Sequence, residues 1–462
     1  MLTRISMLTR KIVRDLARKL LSRLPAKHQS KPLRTLAEVD SKPSRKDRLE
    51  GLRSFADCDP APSDRLVLKI AETQEELEAC YSVLHDAYVD NGFMKPDPSG
   101  MRVTIYHALP TTTTLCAKYD GEVVGTVSLI RESALGFPMQ RIFDLTGVRE
   151  QEGQIAEASA LAIRRDFQKI GGILFPLMKF LYAYCTTFFD TRHIVIAVNP
   201  SHIKMYESLL LFRRLTATTV EHYDFVNGAP AIGATLDLKA LPELYLKHYG
   251  TKPPRRNLHA YFVQLELPNI QFPSRRFFTT NDPVLTPELL DHFFNVRTRT
   301  FEKLSERKKA LLYTIYDLPA YRAVLPVPFA KSNSDALASE GSLRHHLRFS
   351  VKCPGQITYK TAEGESEKIA IRVVEVSAAG FLAVAHTLLP INTSCEATIK
   401  LGQSEVSHVS ALIVWEKRSG AKGHYGFKLG QPDLAWRKFV SALCSGTIYS
   451  DLDNATRFLE SR

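Results

Sequence analysis

The sequence predicts an α+β fold: a mixed-sheet domain with flanking helices, followed by a small all-β barrel. Three observations lead there. Strand-like and helix-like runs alternate between residues 65 and 250, the chain turns to short strands from Arg344 onward, and polar, Pro- and Ser-containing stretches separate these blocks. At 462 residues the chain is also too long for one compact core, so two or three domains are expected.

Residues 1–64 read as a basic amphipathic helix and disordered linker, and order is expected to begin with the strand "RLVLKIAET". A helix follows over "TQEELEACYSVLHDAYVDNGF". Two alternating apolar runs in "LCAKYDGEVVGTVSLI" meet at Asp120-Gly121, a dipeptide that favours the tight turn of a hairpin. The strand "IAEASALAI" leads through Gly171-Gly172 into an apolar helix that ends near Phe189. Strand "HIVIAV", a helix opened by Asn-Pro in "NPSHIKMYESLLLF", and strands "ATTVEHYDF" and "AIGATLDL" complete residues 65–250. Residues 251–318 read as a helical extension, with a strand-like run, "AYFVQLEL", ahead of the helical patterns "TPELLDHFFNVRTRTFEKL" and "SERKKALLYTIYDL". Residues 319–342 are a second linker. The barrel occupies 343–445, with strands in "RFSVKCPGQITYK", "KIAIRVVEVS", "FLAVAH", "CEATIKLG", "VSALIVWEK" and "HYGFKLG" and a closing helix in "DLAWRKFVSALCSG"; 446–462 is a tail.

Composition excludes several classes. The 44% hydrophobic and 24% charged content is that of an ordinary soluble globular chain. The seven cysteines have no CxxC or metal-like spacing, which implies reduced thiols in the cytoplasm, no disulfide framework and no metal site. No apolar run reaches the roughly 18 residues that cross a bilayer, and no secretory signal is recognisable.

The net charge of +12 is local. Residues 1–48 hold fourteen Lys and Arg against four Asp and Glu, leaving the other 414 residues at only +2. Within this arm Leu2, Ile5, Leu8, Ile12, Leu16, Leu20 and Leu24 cluster on one helical face, with Arg10, Lys11, Arg14, Arg18 and Arg23 opposite, and Pro25 closes the segment. A basic amphipathic helix over residues 1–24 suits an anionic membrane surface, where each cation contributes about 1 kcal/mol. A leader docked on a protein partner is the plainer alternative. No aromatics interleave with the charges, so no nucleic acid is expected as partner.

The stretch "EASALAIRRDFQKIGGILFPLMKF" is the chemically suggestive one. A helix start exposes unpaired N–H groups and the positive end of its dipole, which attract phosphate. Gly171 and Gly172 let an oxygen approach the backbone, and Arg164 and Arg165 add charge. Ile173, standing where a small residue is expected, leaves less room for a second phosphate. That favours a donor with one phosphodiester over one with a pyrophosphate. The bland alternative is that the glycines merely allow helix and sheet to pack. Phe175, Phe180, Tyr184 and Phe188 form a greasy stripe that suits a core better than an acyl channel.

"EASALAIRRDFQ", "VIAVNPSHIKMYESLLLF", "HDAYVDNGF" and "GAPAIGATLDL" together resemble the GNAT acyltransferase fold, and more closely the FeeM-type long-chain N-acyl amino acid synthases, relatives of the acyl-homoserine lactone synthases. The resemblance covers about 185 residues. It implies an acyl-carrier-protein thioester as co-substrate, with no other cofactor required. Glu157 is then on the strand facing the donor, where a carboxylate can take the proton of an attacking amine. By the same resemblance Tyr206 assists the leaving sulfur. Asn199 is expected to shape the strand exit, and His202 to serve as a base or contact the acceptor's carboxylate. Lys204 and Arg131 are further candidates for that carboxylate. Each of these residues also has an ordinary structural reading, as an ion-paired carboxylate, a packing tyrosine or a turn former.

In the C-terminal block, "RHHLRFSV" followed by "EVSAAGF" resembles the PilZ domain, a bacterial cyclic di-GMP receptor that pairs an RxxxR arm with a (D/N)xSxxG strand end. Arg344 and Arg348 match the first part; Ser377 and Gly380 match the second. The planar guanidinium fork suits phosphates and guanine faces. Glu375 departs from the pattern, keeping a carboxylate but placing it one methylene further out.

These readings combine into an N-acyltransferase that moves a long-chain acyl group from an acyl-carrier-protein thioester to an amino acid, gated by cyclic di-GMP as effector. It would be cytoplasmic and peripheral at the inner membrane. Two alternatives stand beside it: an inactive GNAT-fold scaffold attached to a cyclic di-GMP sensor, and a CoA-dependent acyltransferase of another small amine.

Overall fold

In the computed structural model the hydrophobic periods become two layers of strands with separate cores. Residues 51–445 are described, apart from 152, 169–171, 274, 281–284, 317–318, 329–347, 362–363 and 420–421. The expected helix over 1–24, most of the first linker and the tail after 445 therefore lie outside the described residues. The end of that linker is ordered: Ala56 and Cys58 are fully buried, and the Cys58 N–H donates to the Arg255 carbonyl at 2.8 Å.

The first block is an eight-stranded sheet ordered β1-β2-β3-β4-β5-β8-β6, with β7 also on β8. Its strands are β1 (Leu66–Ile70), β2 (Thr112–Tyr119), β3 (Glu122–Arg131), β4 (Gln154–Ile163), β5 (Thr191–Val198), β6 (Arg213–Arg214), β7 (Val220–Tyr223) and β8 (Ala229–Asp237). Among the described strands of this sheet, only β4 and β5 pair in parallel. The β2–β3 hairpin turns where Asp-Gly predicts: Asp120 and Gly121 have φ of 51° and 83°, the pair of positive angles a type I′ turn requires.

Helix α1 (Gln74–Asp90) starts at Thr73, whose hydroxyl accepts from the Glu76 N–H at 3.2 Å. Glu76 staples it to the sheet, accepting from Lys69 on β1 at 3.0 Å and Lys118 on β2 at 2.8 Å. Burial pushes the Glu76 carboxyl up, but hydrogen bonds from Lys118, the Glu72 N–H and Lys69 outweigh it and hold the pKa at about 2. Helix α2 (Leu174–Phe188) lies against β1, β2, β3 and β5, and α3 (Ile203–Ser208) follows β5. Helix α4 (Leu241–Tyr249), which the sequence reading omits, opens with Pro242 in its first turn and buries Leu241, Tyr245 and Tyr249.

Two expectations for 251–342 change. "AYFVQLEL" is no strand; Ala260–Gln264 forms a π-helical turn that buries the adjacent Tyr261 and Phe262 together, which alternation does not allow. The linker from 319 begins with a helical turn, Pro319–Arg322, whose Tyr321 stacks on Tyr316 beside the buried Leu325. The helical patterns between them appear as Pro287–Leu290 running on into the π-helix Asp291–Arg297, and as α5 (Glu306–Ile315).

The second block is a closed antiparallel barrel ordered β10-β11-β14-β13-β12-β9. Its strands are β9 (Phe349–Lys360), β10 (Ser366–Ser377), β11 (Gly380–Ala385), β12 (Ser394–Lys400), β13 (Val406–Ser419) and β14 (Lys422–Leu429). Helix α6 (Leu434–Ser445) closes one end with the fully buried Trp436 and Phe439.

The two blocks are joined by a strap at 275–280. Phe277 is buried in the barrel core, 4.9 Å from the Phe439 ring centroid, and bridges Gly402; Thr279 bridges Val351. Gly402 is required there, because a Cβ would fall 2.0 Å from the Arg276 carbonyl oxygen. Arg276 pairs with Glu405 at 2.9 Å, and Arg275 donates to the Thr279 carbonyl and the Tyr184 hydroxyl, both at 2.7 Å. Asp190, at the end of α2, accepts from Lys352 on β9 at 2.7 Å and Arg372 on β10 at 3.2 Å.

Candidate active site and effector site

Strands β4 and β5 pair from Gln154↔Thr191 to Glu157↔Val195 and then part. The parting has a local cause on β4. Between Ser159 and Ala162 the β3–β4 register shifts, and Ala160 adopts φ 53°, a left-handed conformation uncommon for a non-glycine residue and here part of a bulge. A cavity of about 520 Å³ opens between the strands.

Glu157, the last residue of β4 paired to β5, stands at its head. It is 2% exposed, and its carboxylate accepts from the Met139 N–H at 3.1 Å and from Ser159. Burial raises its pKa to about 8, and these two hydrogen bonds offset the rise only in part. Tyr206 on α3 borders the same cavity with its ring edge-on to Phe212, and burial keeps its phenol protonated far above the ordinary tyrosine range. His202 is at the rim, its imidazole held below the usual range by desolvation. Asn199 lines the wall while its side-chain oxygen accepts from the Ser201 N–H and hydroxyl at 3.0 and 2.8 Å, so it shapes the strand exit. The fold thus brings all four expected catalytic candidates to one cavity. Arg131 and Lys204 do not reach it: Arg131 donates to Thr113 at 2.8 Å and lies over Phe189, and Lys204 is exposed.

The cavity continues as an apolar slot. Leu174, Met178, Leu181 and Tyr182 present one face of α2 to it, with Leu241, Tyr245 and Phe262 beyond. The stripe Phe175, Phe180 and Tyr184 is the opposite, fully buried core face, and Phe188 packs beside it. Lys179 holds the far wall, donating to the Phe262 carbonyl at 2.7 Å; burial lowers its pKa to about 8.

Gly171 lies outside the described residues, and Gly172, exposed just before α2, is not among the residues that line the cavity. Ile173 corrects the sequence argument. Its side chain is 3% exposed and turns into the core, where its Cγ2 would stand 2.9 Å from a Cβ on Gly125 of β3. The absent side chain at 125 makes the pocket that Ile173 fills, so Ile173 narrows no phosphate cradle. Arg164 pairs with Asp166 and Glu122, each at 2.9 Å, and Arg165 with Asp90 at 3.0 Å.

On the barrel, Arg344 lies outside the described residues. Arg348 donates to Glu375 at 2.6 Å, so the longer carboxylate reaches the arginine itself. Glu375 follows a register shift in β10, and the Ser377 hydroxyl donates to the Gly380 carbonyl at 3.1 Å. Gly380 has a role the motif does not announce: a Cβ would meet the Phe427 carbonyl oxygen at 2.2 Å.

Sequence reasoning passed over Tyr88 and Tyr223, which line the cavity. Both sit inside motifs quoted above, but nothing in a linear string marks which tyrosine faces a cavity.

A splayed pair of strands with a buried carboxylate at the fork and an apolar slot behind it gives room for an acyl chain beside a proton acceptor. Residues 79–237, about a third of the chain, match the family described as the N-acyl amino acid synthase FeeM, which supports an acyltransferase in the first block. No curated protein matches the chain. Among solved structures it is similar to FeeM from uncultured soil microbes (24% identity over 39% of this chain and 94% of that one, TM-score 0.34). It is also similar to the CoA-dependent acyl-homoserine lactone synthase BjaI (19%, 45% and 93%, TM-score 0.33). The PilZ domain of YcgR from Escherichia coli, solved with c-di-GMP, resembles it at 18% identity over 26% of this chain and all of that one, with a TM-score of 0.18. The observed fold class is the expected one, a mixed sheet with flanking helices followed by a small closed all-β barrel. No helix among the described residues is long and apolar enough to cross a membrane.

Proposed function

We propose that the protein transfers a long-chain acyl group from an acyl-carrier-protein thioester to the α-amine of an amino acid, and that cyclic di-GMP at the barrel regulates the transfer. The observation that carries the transfer is Glu157: a buried carboxyl whose pKa, raised to about 8, suits it to accept the proton of an attacking amine, at the head of an apolar slot. The amine nitrogen attacks the thioester carbonyl, the C–S bond breaks as the C–N bond forms, and Glu157 takes the proton the nitrogen sheds. Tyr206 hydrogen-bonds the departing sulfur, which leaves as a thiolate. The carrier-protein preference rests only on what the sequence resemblance to FeeM-type synthases implies, since Ile173 supplies no steric ground for it. A CoA thioester is the competing donor, and the inward turn of Ile173 favours that second reading.

Incubation of the full chain with long-chain acyl-carrier-protein or acyl-CoA and a pool of amino acids, followed by mass spectrometry, tests this. N-acyl amino acids are expected, faster with the carrier protein. Folded protein that yields none with either donor overturns the proposal.

Regulation has a physical route in Asp190, which ties the end of α2 to β9 and β10, while the other end of α2 walls the slot. The exposed Arg348–Glu375 pair must open for Arg348 to grip a phosphate, and such pairs are worth only about 0–1 kcal/mol. Glu375→Asn is therefore expected to tighten cyclic di-GMP binding several-fold by calorimetry. Weakened binding in that variant would show that Glu375 contacts the nucleotide itself.

A further inference from the structure

The wall of the cavity beside Glu157 contains a polar group with nothing to bind. Tyr223, at the end of β7, is 3% exposed, and its buried hydroxyl has no hydrogen-bond partner among the described residues. An unsatisfied buried hydroxyl costs about 1–3 kcal/mol, so a native structure that keeps one has usually reserved it for a ligand or a water. Its ring stacks on Phe225, with centroids 5.8 Å apart, and both rings line the cavity.

Immediately behind lies Arg102. Its guanidinium carbon sits 4.3 Å from the Tyr88 ring centroid and 5.1 Å from that of Phe225, and it donates to the Phe225 carbonyl at 2.7 Å. Its described neighbours are tyrosines, Phe225 and Met94, with no carboxylate among them. Desolvation accordingly holds this arginine below its ordinary range. A half-buried guanidinium without a counter-ion is costly and lends its surroundings a positive potential. Arg102 also reaches the Tyr88 hydroxyl. A guanidinium only donates, so a bond to Tyr88 leaves the phenol proton free for another acceptor.

Tyr88 and Tyr223, which both line the cavity, therefore bring two phenol O–H groups to its wall, beside one positive charge with no carboxylate among its described neighbours. Both lie within electrostatic reach of Glu157. That arrangement matches a ligand carrying an amine and a carboxylate on one carbon: the amine must meet Glu157, so its carboxylate falls on a neighbouring surface. We propose that Tyr88, Arg102 and Tyr223 form the subsite for the acceptor's α-carboxylate, an inference that rests on the amino-acid acylation proposed above. Neither Arg131 nor Lys204 is placed to serve.

The test compares two acceptors, an amino acid and the amine left by its decarboxylation, with the full chain and a long-chain acyl thioester. Wild type is expected to prefer the amino acid. A hydrogen bond to a charged group is worth about 1.5–3 kcal/mol, so Tyr223→Phe should shrink that preference roughly 10- to 100-fold, chiefly through KM for the amino acid. Arg102→Gln should shrink it at least as far, and Arg102→Lys should recover part of it by restoring the charge. Tyr223→Phe removes one orphaned oxygen and is expected to leave the melting temperature unchanged or raised, which separates a lost contact from a lost fold. A wild type indifferent to the carboxylate, or variants that lose both acceptors equally, overturns the subsite while leaving acylation intact. A wild type that acylates neither acceptor overturns the acylation reading, and the subsite with it.

Discussion

Glu157→Gln is expected to lower turnover by about 10²–10⁴-fold, the range that removal of a general base commands. Wild-type kcat/KM should rise with pH and level off above about pH 8, because burial raises the Glu157 pKa and only its ionised form accepts a proton. The glutamine variant should lose that limb. The same substitution should act oppositely on stability. A carboxyl whose folded pKa exceeds its unfolded one contributes stability that is complete below about pH 4.5 and is lost as pH rises through about 8. A neutral glutamine escapes the loss, so the variant should melt higher than wild type at pH 9 and close to it at pH 4. A pH profile unaltered in shape by the substitution would remove Glu157 from the chemistry.

Phe277→Ala is the second large effect. The ring is 2% exposed and belongs to the barrel core although its residue precedes the barrel by some seventy positions. Truncating a buried Phe costs about 3–5 kcal/mol. Here the loss falls on the union of two blocks, so calorimetry should show wild type unfolding as one transition and the variant splitting into two, the barrel melting first. A single transition shifted by only a degree or two would mean that Arg276–Glu405 and Asp190 hold the blocks together unaided.

Much of the fold was legible because its cause is local. Asp120-Gly121 determines its hairpin, and the six barrel strands announce themselves by period and turn residues. The misreadings are long-range or ambiguous in kind. A short apolar run such as "AYFVQLEL" fits strand or helix equally by period, and burial of the neighbours Tyr261 and Phe262 decided for the helix. Ile173 stands just before α2, and its direction depends on Gly125, forty-eight residues upstream. Glu157, Tyr206, His202 and Asn199 were nameable from their motifs. Tyr223 was not, because being unpartnered is a property of three dimensions. The strap at 275–280 was equally invisible, since its meaning lies in Gly402 and Glu405.

The arginines at the lip carry a last consequence. Arg164 and Arg165 do not wait with open hands; each is moored to acidic neighbours on the surface, and such moorings are weak. A visitor bearing phosphate can displace them at little cost, whereas a short thioester stripped of its phosphate arm has nothing with which to compete. On the acylation proposed above, these arginines would sort cargo by its handle before the slot measures its tail, and added salt should blur that first sorting while leaving the second untouched.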